Sequence, residues 1–174
     1  MTPQSWLSGE HRAALDPEAR VLLPLGLRNL LNPQREEVTL MATLEPEGCV
    51  GIRRVDQWDA YVRELRERAG PSGRARRVMM LLAATSAQVK VDRQGRLRLP
   101  DSLMVKADIE RPTDKGEKTE VVVAGNFEDL RVWAADRWET FCEEALADYG
   151  TDLDWLQGGA VEGAPSAAPE GDAA

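Results

Sequence analysis

Residues Val89–Pro100 read Val-Lys-Val-Asp-Arg-Gln-Gly-Arg-Leu-Arg-Leu-Pro. Val89 and Val91 alternate with Lys90, and Leu97 and Leu99 alternate with Arg98. Between the halves lies Asp92-Arg93-Gln94-Gly95-Arg96. A period of two on either side of a Gly-bearing connection is the pattern of two half-buried strands joined by a tight turn. The Asp92 carboxylate can accept from the backbone two residues on, and Gly95 can take positive φ without steric cost. Pro100 ends the second strand and suits the first turn of a helix, where its missing N–H is not needed.

The phrase occurs twice. Leu15-Asp16-Pro17-Glu18-Ala19-Arg20-Val21-Leu22-Leu23-Pro24 aligns Asp16 with Asp92, Arg20 with Arg96 and Pro24 with Pro100. Downstream, Val38–Leu44 matches Val121–Phe127, Val50 and Ile52 match Leu130 and Val132, and Asp56-Gln57-Trp58 matches Asp136-Arg137-Trp138. The chain is therefore an internal duplication. Two copies are too few for a solenoid and fit one domain with pseudo-twofold symmetry.

The 174 residues, 43% of them hydrophobic, suffice for one packed domain and a tail. Val78–Ala84, the longest apolar run, falls far short of the roughly 20 residues of a membrane span. Met1–Arg12 has neither a basic start nor an apolar stretch, so no signal peptide is expected. Cys49 and Cys142 make no disulfide framework and suit a reducing cytoplasm. The net charge of −8 disfavours nucleic acid at first sight, but five of the acids lie beyond Thr151 with no Lys or Arg among them. The nearly balanced body can still present a local basic face, and phosphate responds to the local field.

Within each copy the periodicity alternates between strand and helix. The first copy reads as a bend at Gly9, a first strand, the turn and second strand, and a short helix Leu25–Leu31 stopped by Asn32-Pro33. A strand Glu36–Thr43, the turn Glu45–Gly48 and a strand Cys49–Arg53 follow, then a helix Gln57–Arg68 with Asp56 as its N-cap. Gly70–Gly73 joins the halves, and Arg74–Thr85 reads as a connecting helix. The second copy has a helix over Asp101–Ile109, a long charged loop Glu110–Glu120, strands Glu120–Gly125 and Leu130–Trp133, and a helix Asp136–Tyr149. Beyond Gln157 the chain is Gly, Ala, Pro and acid, with almost nothing to bury. The expected boundaries are residues 7–69 and 86–149 for the copies, 70–85 for the connecting helix, and 158–174 for a disordered acidic tail.

Catalytic readings are weak. Asp16 and Asp92 are matched turn formers better than an acid–base pair, and neither Ser nor Cys has a base besides His11 near it in sequence. His11, Cys49 and Cys142 lack zinc-ligand spacing, no phosphate-binding Gly loop is present, and no cofactor is expected. Trp58 and Trp138 occupy equivalent helix starts, which favours core packing over base stacking. The basic junction Arg66, Arg68, Arg74, Arg76 and Arg77 reads first as a solvated helix surface.

Doubled Asp-x-x-Gly-Arg-x-x-x-Pro turns, each followed by paired strands and an Asp-x-Trp helix, resemble the MraZ family of bacterial transcriptional regulators. So do Arg76-Arg77-Val78, Leu81-Leu82 and Ser86 at their spacing before Asp92. The resemblance spans most of Leu7–Asp148 and implies an α+β fold: a duplicated AbrB-like swapped-hairpin β-barrel with short flanking helices, pseudo-twofold within one chain. It implies a cytoplasmic, nucleoid-associated homo-oligomeric ring, without enzymatic activity, that binds double-stranded DNA. Such a ring represses its own division and cell-wall gene cluster by reading direct repeats upstream. The family's DNA-binding arginine falls on Arg20 and, second, on Arg96, for which a tie to its own turn's Asp92 is the competing role. The first turn departs from the family's Asp-x-Lys-Gly-Arg, with Glu18 for the Lys and Ala19 for the Gly; Ala at positive φ costs on the order of 1 kcal/mol. His11, Arg12 and Arg28 are candidates to compensate. Alternatives are a ring-forming interaction protein with weakened DNA binding and an antitoxin-type AbrB module.

A guanidinium can donate two parallel hydrogen bonds to O6 and N7 of guanine, worth roughly 1–3 kcal/mol of discrimination. Direct repeats suit subunits related head to tail, which present equivalent turns in one orientation.

Overall fold

The computed structural model describes residues 6–31 and 36–158. The segment holding the Asn32-Pro33 stop and the expected tail beyond Gly158 lie outside the described residues. The alternating stretches form eight strands: β1 (Glu10–Leu15), β2 (Arg20–Leu22), β3 (Val38–Leu44), β4 (Val50–Arg54), β5 (Ser86–Val91), β6 (Arg96–Arg98), β7 (Thr119–Asn126) and β8 (Asp129–Ala134). The helices are α1 (Leu25–Leu31), α2 (Val55–Ala69), α3 (Gly73–Ala84), α4 (Asp101–Lys106) and α5 (Ala135–Leu156). The chain divides into two compact units, one ending at Trp138 and one starting at Glu139, whose described part is the remainder of α5 and the turn after it.

The strands close an antiparallel barrel in the order β1-β2-β6-β5-β3-β4-β8-β7. The two copies interleave. β1 of the first pairs with β7 of the second over Glu10↔Ala124 to Leu15↔Thr119, and β5 pairs with β3 in the equivalent way. Equivalent strands meet across the symmetry axis. β2 and β6 are centred on Val21↔Leu97, and β4 and β8 on Gly51↔Arg131. Alternate residues of every strand turn inward, so Leu15, Val21, Leu40, Val50, Ile52, Val91, Leu97, Val121, Leu130 and Val132 form one continuous buried core. The α+β swapped-hairpin barrel expected from the repeat is the fold.

Several boundaries move. α2 begins at Val55, with Arg54 at the cap and the Gln57 side chain accepting the Arg54 amide at 3.1 Å. Asp56, expected at the cap, instead sits in the first turn and accepts from the Arg54 guanidinium at 2.7 and 3.0 Å. α4 ends three residues early because Ala107 and Ile109 are drawn into the core, with Asp108 between them at φ +52°. α5 runs on to Leu156, since nothing after Tyr149 breaks the helix except the tolerated Gly150.

The two copies differ beneath their tryptophans. In the second, Trp133 is buried and meets Trp138 edge to face at 5.4 Å. The equivalent of Trp133 in the first copy is Arg53, buried against Tyr61 with its guanidinium carbon 5.0 Å from the ring centre. A buried cation needs anions, and Arg53 donates to Glu45 and, at 2.9 Å, to Asp129. Arg131 pairs with the same two carboxylates, at 2.6 Å to Glu45 and 3.2 Å to Asp129. Burial alone would lower the Arg131 pKa, but the Glu45 contact outweighs it and holds the group above its usual value. Gly51 makes the room: a Cβ there would stand 2.1 Å from Glu45 Oε1. Nearby, burial pushes the Cys49 thiol up to about 12, which removes it as a nucleophile.

Glu45→Ala leaves two arginines sharing one carboxylate, and urea denaturation should register a loss of about 3–5 kcal/mol. Gly125→Ala should also destabilise, by about 1–3 kcal/mol on the same assay, because its Cβ would lie 2.4 Å from the Ser8 backbone nitrogen, and backbone cannot swing aside.

Candidate nucleic-acid interface

The two repeat turns are built bond for bond alike. Asp16 N–H donates to Arg20 O and Ala19 N–H to Asp16 O, at 3.0 and 2.9 Å; Asp92 N–H donates to Arg96 O and Gly95 N–H to Asp92 O at the same distances. Each carboxylate then takes two amides inside its turn. Asp16 Oδ1 accepts from Glu18 and Arg20 at 3.0 and 2.9 Å, and Asp92 Oδ1 from Gln94 and Arg96 at 2.8 and 2.9 Å. The turns also cross-brace, with Leu23 N–H donating to Gly95 O and Leu99 N–H to Ala19 O. Ala19 has φ 60° and Gly95 φ 84°, so the first turn holds the left-handed conformation with a residue unsuited to it. Burial of the Ala19 methyl in the core offsets part of that strain.

This bracing lays β2 and β6 side by side as one ribbon. Val21 and Leu97 point inward, so Arg20, Leu22, Arg96 and Arg98 share the outer face. Arg20 lies opposite Arg98, and Arg96 opposite the exposed Leu22. Their surroundings differ. The Arg20 guanidinium donates to Asp16 at 2.9 Å and Glu18 at 3.1 Å, which raises its pKa, chiefly through the Asp16 bond. Burial pushes the Asp16 carboxyl up, but the amide and guanidinium of Arg20 overcome this and hold it below its usual value. Arg96 reaches its Asp only through its backbone N–H; its guanidinium makes no tie to Asp92. The structural tie expected for Arg96 is thus found on Arg20. The turns differ at Glu18, whose carboxylate adds a second contact to Arg20, where the second copy has the neutral Gln94. Arg93, Arg96 and Arg98 have no ion-pair partner among the described residues.

Arginines from elsewhere brace the tips. Arg28 of α1 lies over the second turn, donating from Nη2 to the Arg93 carbonyl with its stem packed on Gly95, where a Cβ would come within 2.6 Å. Arg111 Nε donates to the Pro17 carbonyl at 2.6 Å and so braces the first turn. Arg28, proposed from sequence to support the first turn, serves the second. His11 and Arg12 are not brought to the ribbon. They lie along β1 opposite Val123 and Val122, His11 four residues or roughly 13 Å before the turn, and Arg12 is paired with Glu120 at 2.5 Å. Pro24 and Pro100 follow the ribbon strands and open α1 and α4. Arg98 and Arg93 were missed by the sequence reading. The period of two in Arg96-Leu97-Arg98, which puts Arg98 on the same face as Arg96, was the available signal.

Asp16→Asn should cost about 1–2 kcal/mol at neutral pH. Because the Asp16 pKa is lowered on folding from 3.8, this contribution is present above that value and fades as pH falls through the folded one. Denaturation midpoints of wild type and variant should stay a constant distance apart from pH 7 to 5 and converge in stronger acid.

Comparison with known proteins extends the geometry. A family model described as "MraZ protein, putative antitoxin-like" matches residues 80–152, the second copy with part of α3. Proteins named Transcriptional regulator MraZ align across both copies. That of Pelotomaculum thermopropionicum is 26% identical over 81% of this chain and 88% of its own length. That of Moorella thermoacetica is 26% identical over 84% and 97%, and that of Symbiobacterium thermophilum 28% over 79% and 90%. This similarity to MraZ proteins is carried on an interleaved barrel with two matched Asp-anchored turns.

Proposed function

We propose that the chain is a DNA-binding regulator of transcription that lays the outer face of the β2–β6 ribbon in the major groove. The observation that carries this is the cluster of Arg93, Arg96 and Arg98 on and beside the ribbon, with no acid among the described residues paired to any of them. An unpaired guanidinium meets a phosphate or a guanine edge without first breaking an ion pair. A two-stranded ribbon fits the groove's width. Arg96 is the reading residue in this account, Arg98 beside it meets phosphate, and Arg20, the family's usual contact, is held back by Asp16 and Glu18. Leu22 between them is an apolar contact suited to a thymine methyl. The relatives' name, transcriptional regulator, supports the class of activity. The family resemblance supports a head-to-tail oligomer reading direct repeats upstream of its own gene cluster.

Fluorescence anisotropy on duplex DNA from upstream of the gene, against a scrambled duplex, tests the reading. Arg96→Ala should weaken specific binding by about 5- to 150-fold, the equivalent of one lost bidentate base contact. Arg98→Ala should weaken both duplexes alike and lower the salt slope by about one. Arg20→Ala should do less, and Glu18→Ala should strengthen binding by releasing Arg20. Equal, weak binding by wild type and all variants at every salt concentration would refute ribbon readout. It would favour the interaction-protein alternative, for which the locked Arg20 is the supporting observation.

A further inference from the structure

Three helices have an apolar face and no buried residue, α2, α3 and α5, and of these α3 and α5 expose the larger apolar side chains. On α3, Arg74, Arg77, Val78 and Leu81 fall at i, i+3, i+4 and i+7 and share one exposed face, with Met80 beside it. On α5, Trp138, Cys142, Ala145, Tyr149, Leu153 and Leu156 recur at intervals of three and four residues, the spacing of a helix that packs against another helix. Tyr149 is 58% exposed and Leu156 72%. Glu144, Asp148 and Asp152, four residues apart, line one flank of that stripe.

Charge selects the partner. α5 carries seven acids against the single Arg137, so pairing two copies of α5 face to face would oppose like charges along its length. Its complement must be apolar and basic. α3 is that surface: it carries Arg74 and Arg77 on the face of Val78 and Leu81, with Arg76 beside them and no acid along its length. α3, roughly 18 Å long, covers about two thirds of the roughly 27 Å of α5 beyond Trp138. We infer that the part of α5 beyond Trp138 docks along the α3 face of a second copy of this chain, acids against arginines, and that this head-to-tail contact builds the oligomer. The inference rests on the proposed oligomer and names its interface. A contact between two different faces does not close after one pairing and so leads to a ring or a longer assembly.

The test uses full-length chains and light scattering coupled to size exclusion. One variant reverses α3 (Arg74→Glu with Arg77→Glu), the other reverses α5 (Asp148→Lys with Asp152→Lys). Wild type should run as an oligomer and each variant alone as a smaller species. An equimolar mixture of the two should recover the wild-type mass, because each α5 then meets a surface of opposite charge. Circular dichroism melts confirm folding, and Leu81→Ala and Leu153→Ala, which carry no charge change, should raise the concentration needed for assembly at least tenfold. If both charge variants assemble as wild type does, or if folded variants fail to recover on mixing, the interface is wrong while the oligomer stands. A monomeric wild type would refute the oligomer itself and this inference with it; DNA binding by the ribbon is read separately.

Discussion

Neither copy of the repeat can satisfy its own strand edges. β1 finds its long partner in β7 and β5 in β3, and the two turns hold each other through the reciprocal bonds from Leu23 to Gly95 and from Leu99 to Ala19. An open edge exposes a row of unpaired amides and carbonyls. Interleaving removes every edge by closing the barrel within one chain. The other features follow from this closure. It places the β2–β6 ribbon on the symmetry axis, and it gathers four outward side chains from two distant segments onto one face.

Symmetry of backbone has not kept the side chains alike. The first turn has Ala19 and Glu18 where the second has Gly95 and Gln94, and the consequence is electrostatic as much as steric. Arg20 is paired within its own turn, whereas Arg96 has no ion-pair partner among the described residues. A comparable divergence separates Arg53 from Trp133 beneath the paired helices. One side rests on an ion quartet and the other on an edge-to-face aromatic pair. The two halves are thereby made non-equivalent, so that each strand has one best partner in the barrel.

Much of the fold was legible because duplication supplied the alignment that a single copy lacks. The matched Asp, Arg and Pro of each turn marked the hairpins, and the alternation in Val89–Val91 and Leu97–Leu99 marked which faces are buried. Helix ends were less legible. Asp56 is a good cap by type, but the backbone of Arg54 with Gln57 took that role, and local preference yielded to the direction in which β4 leaves the barrel. The site was half legible. The turn arginines could be named from their repeat, yet which of them is free depends on the rotamer of Glu18 and on Arg28 reaching across from the other copy. Arg28 and Arg93 are 65 residues apart, a relation no local pattern encodes.

The pairing of β1 with β7 has a consequence for synthesis on the ribosome. Glu10 meets Ala124, so the first strand to emerge waits for more than a hundred further residues before its partner exists. At about 5–20 residues per second that delay is roughly 5–20 seconds, long compared with hydrophobic collapse. Half a protein therefore cannot pre-form during translation. The nascent first copy must be kept from neighbouring polysomes, a task for which its charged turn residues and short early strands are well suited.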